Sequence, residues 1–159
     1  MQIKLEVAGR PAPKGSSRAF VIPGTNRAVV APSGSAQNKA NLKSWDQSVR
    51  LAANEAVRAA PPGSVYPGGG PIFVDVPLRI AIVFRLARPS GHWRKAGGLK
   101  PSAPAFPATK PDFDKLTRAT CDSLKGTIYD DDSRIVSSSI DKVYAAPGEE
   151  GASIIIEPR

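Results

Sequence analysis

Glycine and proline punctuate this chain heavily: together they make up thirty of its 159 residues and gather in a few stretches. Proline lacks a backbone donor and glycine is the residue most costly to order, so neither favours the interior of a helix or strand. Regular structure is therefore confined to the short periodic segments between those stretches. Gln2–Val7 alternates, with Ile3, Leu5 and Val7 on one side and Lys4 and Glu6 on the other, as a half-buried strand does. Gly9–Ser17, with Pro11, Pro13 and Gly15, reads as a loop, and Ala19–Ile22 and Ala28–Ala31 flank Pro23-Gly24-Thr25-Asn26 like the arms of a hairpin. From Asn38 to Ala60 the apolar positions Leu42, Trp45, Val49, Ala52, Ala53, Ala56 and Ala60 recur at helical steps until Pro61-Pro62-Gly63.

The second half follows the same logic. Ser64–Pro71 is a Gly/Pro-rich connection, expected to be flexible. Val74–Arg85 places Val76, Leu78, Ile80, Ile82 and Phe84 on one strand face, and Pro77 implies an edge position or a late start to pairing. A loop over about 86–111 precedes a short helix from Pro111 to about Lys125, closed by Gly126. Ile135–Tyr144 reads as a strand, Pro147-Gly148 as a turn, and Ala152–Glu157, with Ile154, Ile155 and Ile156, as a last strand buried on both faces or nearly so. A chain of this length supports one core, so residues 1–159 are expected to form a single domain.

Composition narrows the setting. No segment approaches the roughly 18 consecutive apolar residues of a membrane helix, and the start of the chain lacks the pattern of a secretory leader, so a soluble, cytoplasmic protein is expected. Cys121 is the only cysteine, which excludes an internal disulfide and fits a reducing compartment. The net charge is +8, but Pro111–Asp132 holds six of the fourteen acidic residues against Lys115, Arg118 and Lys125. Elsewhere nineteen basic residues face eight acidic ones, a balance of +11. A basic body with one acidic spot suits a protein that attracts phosphates broadly and holds a cation at one point, although charge alone speaks only to non-specific attraction. Arg85–Pro111 contains no acidic residue, and its Arg88, Arg94, Lys95, Lys100 and Lys110 form a basic loop suited to a DNA backbone. A solvated loop whose charges do nothing in particular is the plainer alternative. His92-Trp93 offers an aromatic surface, for base stacking or for local packing.

The acidic spot has internal structure. On the helix, Phe113, Leu116, Thr120 and Leu124 share one face, expected to pack on the sheet, and Asp114, Arg118, Asp122 and Lys125 lie opposite. Asp112 and Asp114 at the helix start fit capping and the helix dipole as well as they fit a metal. Asp130-Asp131-Asp132 is less ordinary, because three adjacent carboxylates repel one another and require either free solvent or a cation. A calcium loop fails on spacing: counted from Asp130, Ile135 stands where glycine is needed and Asp141 where glutamate is needed. Mg²⁺, which takes one or two carboxylates plus water and phosphate oxygens, suits a site built from Asp112, Asp114, Asp131 and Asp132, provided that these converge in the fold. Arg118 either pairs with Asp114 or stabilises charge on a phosphate.

The run KPDFDKLTRATCDSLKGTIYDDDSRIV resembles the signature of the RusA family of Holliday junction resolvases: a Pro-Asp-x-Asp-Asn helix start, a basic residue, Asp-x-Leu, then an Asp-Asp pair before a strand. The positions here are Pro111, Asp112, Asp114, Arg118, Asp122, Leu124, Asp131 and Asp132. The opening VAGRPAPKGS and the later FRLARP also resemble phage and prophage members. The resemblance implies an α/β (α+β) fold with a mixed sheet packed by two helices. It further implies a homodimer acting on four-way DNA junctions, and Mg²⁺ (or Mn²⁺ in its place) on Asp112, Asp114 and Asp132 with Asp131 beside them. Lys115 stands where the family usually has Asn, and Arg118 where it often has Lys, so electrostatic help survives while proton transfer by that Lys does not carry over. Lys14, Arg18, Arg88, Arg94, Lys95, Lys100, Lys110 and Lys115 are the expected DNA-binding residues. The alternatives are a nuclease of broader taste (flaps, forks, single strands), a junction binder without catalysis, and a basic structural protein whose acidic turn is merely solvated.

Overall fold

The structure is a computed structural model that describes residues 1–15, 17–32, 35–61, 63–64 and 70–159. Most of the connection expected to be flexible, and the side chain of Arg18, lie outside the described residues. Four strands form one sheet in the order β1 (Ile3–Ala8), β6 (Gly151–Pro158), β4 (Leu78–Leu86), β5 (Ile135–Tyr144). β6 runs antiparallel to both neighbours and β5 runs parallel to β4, which makes the sheet mixed. A separate hairpin, β2 (Ser17–Val21) with β3 (Ala28–Pro32), closes where the turn residues require it.

Period-two alternation decides which face of the sheet is buried. Ile3 pairs with Ile156 and Ile156 with Ile80; Leu5 pairs with Ile154 and Ile154 with Ile82; Val7 pairs with Ala152 and Ala152 with Phe84. All nine are buried, so three apolar rows run across three strands. Helices α1 (Ala36–Ala59) and α2 (Phe113–Leu124) supply the remaining apolar surface. Each fully buried Leu, Ile or Phe contributes about 1.5–3 kcal/mol relative to exposure. Pro77 marks a late start: pairing begins at Leu78, and β4 lies inside the sheet, not at its edge. Ile155 is only half-buried, so the last strand covers one face fully and the other in part.

Two polar contacts, one buried and one part-buried, fix α2 on α1. The Trp45 indole N–H donates to Thr120 Oγ1 at 3.1 Å, and Ser123 Oγ donates to Asp46 Oδ1 at 2.7 Å. These set the axial position of α2, the helix that carries most of the acidic segment. The expected face is correct at Leu116, Thr120 and Leu124, but Phe113 is 58% exposed. It lies one turn ahead of Leu116, at the end of α2 that neither α1 contact reaches. Among the described residues no helix is long and apolar enough to cross a membrane.

Candidate active site at the two ends of α2

Asp112 occupies the N-cap position of α2, yet its side chain makes no capping hydrogen bond. Its carboxylate instead pairs with Lys115 at 3.1 Å, and both side chains stay largely exposed. Asp114, one residue into the helix, is exposed and has no ion pair among the described residues. Arg118 is likewise exposed and makes no ion pair there. Of its two sequence-based roles, the pair with Asp114 does not form, and the guanidinium faces solvent.

At the other end, Gly126 has φ near +80°, a conformation glycine adopts without strain, and its N–H donates to Tyr129 O at 2.7 Å. The turn is anchored from below by Tyr129, whose buried hydroxyl donates to Cys121 O at 2.9 Å. Burial pushes the Tyr129 phenol upward and the Cys121 thiol to about 11, so neither ionises near neutral pH. The three consecutive aspartates that follow are offset largely by the chain's own cations. Asp130 takes two bonds from Arg134, at 3.1 and 2.8 Å, which hold its carboxyl below the usual range. Asp131 accepts from Lys125 Nζ at 2.5 Å and from the Ser133 N–H at 2.9 Å, and these bonds hold its carboxyl well below the usual range. The hydrogen bond to Asp131 correspondingly raises Lys125. Asp132 is the least constrained, with Oδ1 3.9 Å from Lys125 Nζ and a side chain 47% exposed. Spacing alone did not reveal Lys125 and Arg134 as these counter-charges, although each stands within six residues of the aspartate it holds.

The structure does not bring Asp112 and Asp114 to Asp131 and Asp132 within one chain. Asp112 and Lys125 cap opposite ends of α2, about 20 Å apart at 1.5 Å per residue. Lys125 keeps Asp131 and Asp132 at the far end. Among the described residues no three His, Cys, Asp or Glu side chains are grouped to hold a metal. As one set within one chain, the four carboxylates do not fit a divalent ion.

The other candidate DNA-binding residues divide clearly. Lys14 is paired with Asp122. Arg88 stacks 3.9 Å from the Tyr144 ring and donates to Pro104 O at 2.8 Å, and Lys100 donates to Gly91 O at 2.6 Å. His92 packs edge-on against Tyr144, a local role. These contacts shape the basic loop, while Arg94, Lys95 and Lys110 remain exposed on it. Lys142, unremarked in the sequence, ties the loop's end to β5 by donating to Thr109 O and Pro111 O, each at 3.0 Å.

A protein-family model, Endodeoxyribonuclease RusA, matches residues 20–157. The chain belongs to the RusA family. No curated protein matches it. Membership makes the RusA chain an endodeoxyribonuclease by family, a hydrolase of DNA within a group of junction-resolving, metal-dependent nucleases. The mixed sheet with two helices, expected from the resemblance, is the fold of this RusA member.

Proposed function

We propose that this RusA-family protein is a Mg²⁺-dependent endonuclease that resolves four-way DNA junctions by paired nicks during recombination or repair, with Mn²⁺ able to substitute. The observation that carries the reading is the family match over 20–157, which includes the whole acidic segment at both ends of α2. Asp112, Asp114 and Asp132, with Asp131, are the proposed metal-binding carboxylates. A divalent ion in such chemistry activates water and offsets charge on the scissile phosphate. Arg118, exposed on α2 between the two carboxylate groups, is the proposed cation that meets a phosphate and stabilises charge that develops on it. Arg94, Lys95 and Lys110 hold the DNA arms through their exposed charges, and Arg88, Lys100 and Lys14 support them by fixing the surrounding loops. The acting species is a homodimer, because resolving a junction takes two matched cuts.

The test is a substrate panel: a mobile four-way junction, a flap and linear duplex, each with Mg²⁺ or with chelator. Paired, Mg²⁺-dependent nicks on the junction alone support the proposal. Cutting of all three indicates a broader nuclease, and binding without cutting a junction binder; either outcome refutes it.

A further inference from the structure

The first half of α1 and the second half of α2 leave a groove between them of about 340 Å³. Its floor is apolar, formed by Leu42 of α1 and Ala119 of α2. Its rim is cationic: Lys39 and Lys43 come from α1, and Lys14 from the loop after β1. Lys39 and Lys43 are both exposed, and neither has an ion pair among the described residues. The two carboxylates of the lining are already engaged. Asp46 pairs with Arg50 at 3.0 Å and accepts from Ser123, and Asp122 pairs with Lys14. The groove therefore keeps a positive excess, carried by Lys39 and Lys43.

Cations over an apolar floor match a sugar-phosphate backbone, whose phosphates are anionic and whose deoxyribose edges are largely C–H. Lys39 and Lys43 stand one helical turn apart, about 6 Å along the axis, and so present charge in a row, as a polyanion requires. The groove also has a direction. The Lys14 N–H donates to Lys115 O at 3.1 Å, in the first turn of α2, where Lys115 pairs with Asp112. A backbone lying over Lys39, Lys43 and Lys14 thus continues onto the acidic segment. We propose that this groove is a second DNA-contact site, separate from the basic loop, in which Lys39, Lys43 and Lys14 hold phosphates of an arm away from the bond that is cut. The inference rests on the nuclease reading above for the identity of its ligand. Such contacts are indifferent to sequence, and each phosphate neutralised contributes about 0.9 to the slope of log affinity against log salt.

Junction binding in chelator, titrated from about 50 to 200 mM salt, tests the groove without any cutting. The Lys39→Gln, Lys43→Gln double variant should flatten the slope by about 1.8, so that its affinity falls about twelvefold less than that of wild type over this range. Asp122→Asn, which releases Lys14 to a phosphate, should steepen the slope by about 0.9. Lys4→Gln with Arg58→Gln removes the same charge from exposed positions outside the groove and should leave the slope as it is. Lys39 and Lys43 are exposed, so their loss should not move the urea midpoint. A slope unchanged by Lys39→Gln, Lys43→Gln, or flattened as much by Lys4→Gln, Arg58→Gln, would overturn the groove while leaving the nuclease reading intact. Wild type that shows the groove-dependent slope yet cuts no junction in Mg²⁺ would overturn the nuclease reading alone, and wild type that binds no DNA would overturn both.

Discussion

Replacing Asp132 with Asn, side by side with Asp130→Asn, separates structural from metal-binding roles within three adjacent residues. Asp130 is held by two bonds from Arg134, whereas Asp132 is 47% exposed and no nearer than 3.9 Å to Lys125, its one ion-pair partner among the described residues. Losing the Asp132 charge should therefore change folding stability by less than about 0.5 kcal/mol, as for a surface substitution. Its effect on DNA should be larger and opposite in sign for binding and cutting. A carboxylate about 4 Å from a phosphate costs on the order of 1 kcal/mol in water, so without metal Asp132→Asn should bind a junction up to about fivefold more tightly, less at high salt. Cutting should fall at least a hundredfold. Asp130→Asn should retain cutting but lower the urea midpoint. Gel-shift titrations in chelator, single-turnover cleavage in Mg²⁺ and urea melts measure the three quantities. Full cutting by Asp132→Asn, or a collapse of its stability, would refute the assignment.

Other consequences follow from particular contacts. Thr120→Val leaves the buried Trp45 N–H without an acceptor and should cost about 1–3 kcal/mol in denaturant melts; a cost near zero would show that this bond does not hold α2. Gly151→Ala would place a Cβ 2.0 Å from Val7 O, so the β1–β6 register should suffer by about 1–3 kcal/mol in the same measurement. The folded Asp131 carboxyl is depressed by Lys125 and by the Ser133 N–H, so its contribution is complete above the unfolded value of about 3.9 and is lost as pH falls below it. Urea midpoints from pH 6 to pH 2 should fall less steeply for Lys125→Met than for wild type.

Much of the fold was legible because alternation and helical spacing are local. Ile3, Leu5 and Val7 predicted their strand, and Ile135–Tyr144 was read as one strand with the bounds that β5 has. Pro77 correctly implied a late start to β4, since a strand inside a sheet cannot spare a donor. That β6 would insert between β1 and β4 was not legible, because pairing partners are set by tertiary packing. Phe113 had the right helical phase, but phase does not say where the covering layer ends. The aspartates show the same limit more sharply. A helix is a rod, so carboxylates one helix-length apart in sequence are about one rod-length apart in space, and the chain does not turn back along α2 to reunite them. Lys125 and Arg134 were hidden for a different reason: a lysine or arginine near an acidic run is common, and only the turn after Gly126 brings Lys125 onto Asp131.

The most direct measurement is anomalous scattering from crystals grown with Mn²⁺. The account predicts a manganese peak within ligating distance of Asp132, Asp112 or Asp114. Crystals in which every one of these carboxylates lacks a manganese neighbour, at Mn²⁺ concentrations that support cleavage, would contradict it.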